Sequence, residues 1–271
     1  MSGAPVARIL EIADSLFPFE RAEPWDNCGL QIGEMDRLVT SVAFSLDPTP
    51  QTVAFAEGHS CQLLVVHHPL IMEPLKSVSS QTLAGRTLLA AARAHVDILA
   101  LHTNFDAAPD GLNDWIAARL GLDGVFVPVP AACARMGKLP EAMAVSALTE
   151  KVARDLETAR PRVVCDGDRP VKNVFCASGS GMGYLAVALG YRADVMITGD
   201  VRYHAALEAR EMNMPVIDAG HFGLEQHAGT ILANAFRNEF AKLKLDIACL
   251  ACDIETDPYR DTSGSQGGLY R

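Results

Sequence analysis

No run of this sequence stays apolar for the length a bilayer demands, and the N-terminal residues carry no basic segment followed by an apolar core. The expectation is a soluble, cytoplasmic chain with no membrane partner. Positive charge is also in short supply: 23 Lys and Arg stand against 33 Asp and Glu, a formal net charge of −10. So acidic a chain has no general attraction for nucleic acid backbones or anionic lipid. The seven cysteines (Cys28, Cys61, Cys133, Cys165, Cys176, Cys249 and Cys252) are scattered and odd in number, which suits reduced thiols better than a disulfide framework. Cys249 and Cys252 have a chelating spacing, but they fall in a strand-like run, where residues three apart face opposite ways. A dinucleotide fingerprint is missing as well. Gly179-Ser180-Gly181-Met182-Gly183 brings its third glycine one residue early.

What is present is an ordinary globular balance, 49% apolar and 21% charged over 271 residues, enough for one large domain or two modest ones. Helical spacing predicts a first helix over Ala4 to Leu16, closed by Pro18. From Ser41 the pattern alternates: strands at Val42–Leu46, Leu63–Val66 and Ile98–Leu101, helices at 49–57, 82–95 and 111–120. Glycine and proline break it over 121–138. A second alternating half follows a helix at 146–156, with strands at Val163–Cys165, Val174–Ala177, Val195–Ile197 and Val216–Ile217. Helices at 184–189, 201–212 and 224–242 intervene, and a last strand covers Leu245 to Cys249. Such alternation predicts an α/β fold of two similar lobes with mostly parallel sheets. The divisions expected are a first lobe over 1–127, a linker over 128–145, a second lobe over 146–257 and a disordered tail over 258–271.

Chemistry gathers where these strands end. His67 and His68 close an apolar strand and precede Pro69, which stops the ladder and lets both rings turn to one cavity. One histidine on an apolar strand is an ordinary core residue; two at a strand end before proline point to metal ligation. Leu101-His102-Thr103-Asn104-Phe105-Asp106 ends a second strand in the same manner. Asp110 suits the cap of the next helix, which leaves Asp106 for a metal and His102 for orienting a ligand. His221 and Glu225, four apart after Gly220, sit over one rim of a strand-to-helix turn. Three imidazoles and two carboxylates exceed one tetrahedral zinc and suit two ions that share a carboxylate. The donor mix accepts Zn, Fe, Mn, Co or Ni. Gly179 and Gly181 lie where backbone amides cradle an anion, and Asp200 with His204 follows a strand end where open sheets take ligands. The plainer readings for these four are a tight turn and a helix cap.

Trp25-Asp26-Asn27-Cys28-Gly29-Leu30, His67-His68-Pro69, His102 through Asp106, Thr198-Gly199-Asp200 and Gly220-His221 through Glu225 stand in a familiar order. Over residues 5 to 255 the chain resembles the Nif-three-like dinuclear metal centre family, some of whose members are described as GTP cyclohydrolase 1 type 2 homologues. That resemblance implies metal ligands at His67, His68, Asp106, His221 and Glu225, two divalent ions per subunit, and a cleft between two lobes. It also implies a ring-shaped homohexamer with its sites facing an inner cavity. Phe222 stands where a Tyr is expected, so any role of that hydroxyl is absent. The reaction expected first is GTP ring opening, in which water attacks the imidazole carbon of guanine while His102 or Glu225 moves protons. Phosphoester or nucleotide hydrolysis suits the same residues, and a metal-bearing scaffold without catalysis is the third reading.

Overall fold

In the computed structural model, residues 3–259 are described, so all but the first two residues of the expected tail lie outside it. The first half runs β1 (Ala4–Pro5), α1 (Val6–Leu16), β2 (Gly29–Ile32), β3 (Leu38–Val39), β4 (Ser41–Ser45), α2 (Pro50–Gly58), β5 (Leu63–Val66), α3 (Leu83–Ala94), β6 (Asp97–Ala100), α4 (Thr103–Ala107) and α5 (Leu112–Arg119). It continues through β7 (Asp123–Phe126), β8 (Arg135–Ala144), α6 (Val145–Asp155), β9 (Arg162–Val164), β10 (Pro170–Cys176), α7 (Leu185–Gly190) and β11 (Val195–Thr198). The last elements are α8 (Tyr203–Glu211), β12 (Val216–Asp218), α9 (His221–Glu225), α10 (Ala228–Lys242) and β13 (Ala248–Ala251).

Two sheets carry the fold. The first has the order β13-β4-β5-β6-β2, and the second β7-β8-β10-β11-β12-β9; β1 and β3 form a separate pair. Because β-strand side chains alternate, each buried strand feeds two cores. Leu63 and Val65 of β5 enter a central cluster that also takes Val174, Val195 and Ile217 from the second sheet and residues of α1, α5, α6 and α10. Leu64 and Val66 face the other way, under α2 and α3. The second sheet repeats this, with Phe175, Met196 and Val216 covered by α7 and α8. The α/β expectation from short, wholly apolar runs therefore has a physical basis: these strands are covered on both faces.

Parallel pairing dominates only the first sheet, where β13, β4, β5 and β6 run parallel and β2 alone is antiparallel. The second sheet is mixed, which corrects the expectation of two mostly parallel sheets. Only β10-β11-β12 are parallel; β7-β8, β8-β10 and β12-β9 are antiparallel. The stretch 128–145 read as a linker holds the ten-residue strand β8. Its Gly137 and Pro140 look like breakers, yet Pro140 falls where the register with β10 shifts, and an irregular ladder tolerates a missing N–H.

Three further boundaries differ. The helix expected over 224–242 is two helices, α9 and α10, interrupted at Gln226 and His227. The last strand is Ala248–Ala251, and it pairs with β4 in the first sheet instead of extending the second. The stretch after Trp25, given no strand in the sequence reading, forms β2, which pairs with β6. Among the described residues no helix is long and apolar enough to cross a membrane.

Candidate metal centre

Strand ends from both sheets converge on one point. The ladder of β5 with β4 continues one step beyond the strand, His67 and His68 amides donating to the Ser45 and Leu46 carbonyls (3.1 and 3.0 Å), and stops at Pro69. Both rings nevertheless approach each other, 5.0 Å between centroids. His102 caps α4, which presents Asp106 one turn later. Gly220, at φ 77°, makes the sharp entry into α9 and aligns His221 with Glu225 on one face of that turn. His221 Nε2 lies 2.9 Å from Glu225 Oε2, and His68 Nε2 lies 3.0 Å from the same oxygen. Two groups suited to a metal ion result, His67 with His68 and His102, and His68 with His221 and Glu225. In each the candidate donor atoms lie within 4.8 Å of one another.

The tethering of these rings is the most telling feature. Each of four imidazoles is held at Nδ1 by an acceptor: His67 by the Leu101 carbonyl (2.9 Å), His68 by Asp47 (2.8 Å), His102 by Asp26 (2.9 Å) and His221 by Asp200 (2.8 Å). An Nδ1–H so engaged leaves the Nε2 lone pair for a metal and fixes the ring plane, the usual support of a ligating histidine. Asp106 is oriented too: the Ser178 hydroxyl donates to its Oδ1 (3.0 Å), and Asn113 donates to Ser178 (3.0 Å).

His67 tests whether a metal fits. Its Nε2 is fully buried and has no hydrogen-bond partner, although buried polar atoms almost always have one. It faces Asp106 Oδ1 and Glu225 Oε1 at 3.8 Å each, too far for hydrogen bonds. One ion bonded at ~2.0–2.2 Å to imidazole and carboxylate would bridge such a gap. The donor set therefore fits a divalent ion.

Electrostatics agree. Burial opposes charge on His68, yet hydrogen bonds to Asp47 and Glu225 prevail and raise its pKa to about 10. His221 rises to about 9 against the same penalty, through Glu225 and Asp200. Burial lifts the Asp106 carboxyl above its ordinary range, whereas the imidazoles around Glu225 overcome burial and hold it well below.

The residues expected to cradle an anion divide. Gly179 has φ 54°, and a Cβ there would stand 2.6 Å from Glu225 Oε1 and 3.3 Å from the His221 ring, so the glycine gives the ligands room. The Gly181 amide is already spent on Thr198 Oγ1 (2.8 Å). Asp200 serves His221, and His204 lies on the exposed side of α8 against Tyr203, away from the cleft. That cleft, about 510 Å³, is lined by His68 and His221 together with Arg160, Arg162, Phe222 and Tyr259. Sequence reasoning missed Asp26, Asp47 and Ser178 as supports. Asp26 was within reach, since it stands in the Trp25-Asp26-Asn27 motif, and it accepts from Cys28 and Thr103 besides His102.

A GTP cyclohydrolase 1 type 2 homolog of Clostridium acetobutylicum is 26% identical over 262 residues, covering 94% of this chain and 98% of the relative. One from Lactococcus lactis subsp. lactis is 32% identical over 248 residues, covering 90% and 94%. Among solved structures, the Staphylococcus aureus hypothetical protein SA1388 superposes with a TM-score of 0.88 at 26% identity, covering 95% of this chain and 99% of that one. A Bacillus cereus protein related to NIF3 shares the fold, with a TM-score of 0.89 at 23% identity, covering 96% and 100%. Residues 4–258 match the Duf34/NIF3 (NGG1p interacting factor 3) family over their whole length, and the chain belongs to that family.

Proposed function

We propose that this protein is a dinuclear-metal-dependent hydrolase, with GTP ring opening as the leading reaction. The observation that carries it is the set of four Nδ1-tethered imidazoles, three of which face Glu225, together with the partnerless Nε2 of His67. His67 and Asp106 would hold one divalent ion, His68 and His221 the other, with Glu225 shared and His102 beside the first. Paired divalent ions supply Lewis acidity to a substrate oxygen and acidify water. The chain itself supplies a rigid ligand shell, a cleft wide enough for a nucleotide, and His102 as a proton carrier oriented by Asp26. The printed names of the Clostridium and Lactococcus relatives support the choice of GTP. The metal would be Zn, Fe, Mn, Co or Ni by donor type.

The same reading includes two α/β lobes divided near residues 128–145, a site in the cleft between them, a toroidal homohexamer and a cytoplasmic setting. Phosphoester or nucleotide hydrolysis is the second reading, favoured by Arg160 and Arg162 in the cleft wall. Metal analysis followed by GTP turnover of the reconstituted protein, with products weighed by mass spectrometry and Glu225→Ala as control, decides. Formate and a ring-opened nucleotide, lost in the variant, support ring opening; phosphate release supports the second reading. Full metal occupancy without turnover of either kind overturns GTP as the substrate and leaves another substrate or a metal-bearing scaffold.

A further inference from the structure

The segment beyond β13 reaches back to the metal centre through one side chain. Glu255 accepts two backbone hydrogen bonds, from Leu46 N (2.9 Å) and Asp47 N (2.7 Å), across 208 residues of sequence in the second case. Those amides begin the loop between β4 and α2. From the other side of the loop, the Thr52 hydroxyl donates to the Asp47 carbonyl (2.9 Å), and Thr52 is itself locked in the capping box with Thr49. The Asp47 backbone is therefore fixed at both its N–H and its C=O. Its carboxylate is the group that holds His68 Nδ1 at 2.8 Å. Asp47 itself is half exposed.

From Glu255 to the Asp47 amide, from the Asp47 carboxylate to His68 Nδ1, and from His68 Nε2 to Glu225, the contacts form an unbroken chain. Charge-assisted bonds to a carboxylate are the stronger kind and impose direction as well as energy. The segment also contributes Asp257, Pro258 and Tyr259 to the cleft wall, so the anchoring of Glu255 places that wall too.

We propose that Glu255 is a positioning residue of the metal centre: by clamping the Leu46 and Asp47 amides, it orients the carboxylate that orients His68. The inference rests on the dinuclear reading above. It goes beyond that reading in giving the segment after β13 control over one half of the site, the half made by His68 and His221. The His67 and Asp106 half is tethered to Leu101 and Ser178 and meets that chain only through the shared Glu225.

The test is metal affinity, read by chelator competition on the full chain and independent of turnover. Loss of a ligand-orienting group lowers metal affinity by roughly 10–100-fold. Glu255→Gln, which replaces one accepting oxygen with an N–H donor, should weaken one of two ions by about tenfold and the other much less. Asp47→Asn should weaken the same ion, and the double variant should lose no more than the larger single loss, because the two residues act in series. Metal-free melting temperature and circular dichroism separate positioning from misfolding. If Glu255→Gln proves unstable, Asp47→Asn tests the second link, and a Glu255→Asp variant with a shorter reach tests the first. Equal affinity of both ions for wild type and Glu255→Gln would overturn the inference, as would additive losses in the double variant. A wild type that binds no ion would overturn the dinuclear reading instead, and a single retained ion in wild type would do the same.

Discussion

The two walls of the metal centre are built to different standards. On the first-sheet side His67 is wholly buried, its Nδ1 tied to a backbone carbonyl, and Asp106 is only 6% exposed. On the second-sheet side the His221 side chain is 36% exposed, and its tether is the half-exposed Asp200. A backbone carbonyl between packed strands cannot rotate away, whereas an exposed carboxylate can. His67 and Asp106 are preorganised by the core of the protein, whereas His68 and His221 are held by half-exposed carboxylates in contact with water. Glu225, buried yet carried on the short helix α9, joins them.

Removing the joint should have the largest effect. On the proposed arrangement Glu225→Ala would take a ligand from both ions at once, so affinity should fall by more than ~1000-fold, well beyond the ~10–100-fold typical of an orienting partner. Retention of one tightly held ion in this variant would mean that the walls work independently. Next comes the asymmetry itself. In metal-free protein His67→Ala should cost about 2–4 kcal/mol by leaving a buried cavity, and His221→Ala less than about 1 kcal/mol because its site is open. Urea titrations measure both, and equal costs would remove the distinction between the walls.

Gly179 tests how tightly the second wall is packed. Gly179→Ala meets both the positive φ and a clash with Glu225, so a loss of about 1–3 kcal/mol is expected, with weakened metal binding alongside. A variant as stable as wild type would show that Glu225 yields easily. The smallest effect is the dependence on pH. In metal-free protein His68 and His221 are raised to about 10 and about 9. Their stabilising contribution is complete below about pH 6.5, the ordinary histidine value, and is lost as pH rises through 9 to 10. Metal requires the same rings deprotonated, so its stabilisation grows with pH. The melting temperature gap between loaded and metal-free protein should widen from pH 6 to pH 9; a constant gap would mean that these rings already lack protons.

What was legible in the sequence follows the same division. Short apolar runs such as Leu63–Val66 are covered on both faces, so their lengths and the polar residues after them could be read directly. His67, His68, Asp106, His221 and Glu225 stood out because each follows a strand that must end. The tethering pairs did not, even though Asp200 was singled out for another role, since Asp47 and Asp200 lie 21 residues from their histidines and Asp26 lies 76 away. No local periodicity encodes such pairings. The mixed second sheet was hidden for a related reason: Pro140 is a breaker by residue type and a harmless one at a register shift.

The placement of β13 has a bearing on how a newly made chain matures. Residues 41–100 supply three adjacent strands of the first sheet early in synthesis, but the outer edge of β4 stays bare until residues 248–251 have left the ribosome. An unpaired edge is an adhesive surface, and long-range closure is slow. Glu225 is also made late, so His67 and His68 wait exposed without their shared carboxylate while more than half of the chain is still to come. The ligand set that includes Glu225 and His221 is therefore complete only late in synthesis, and nascent protein stalled before β13 is expected to be the species most exposed to aggregation.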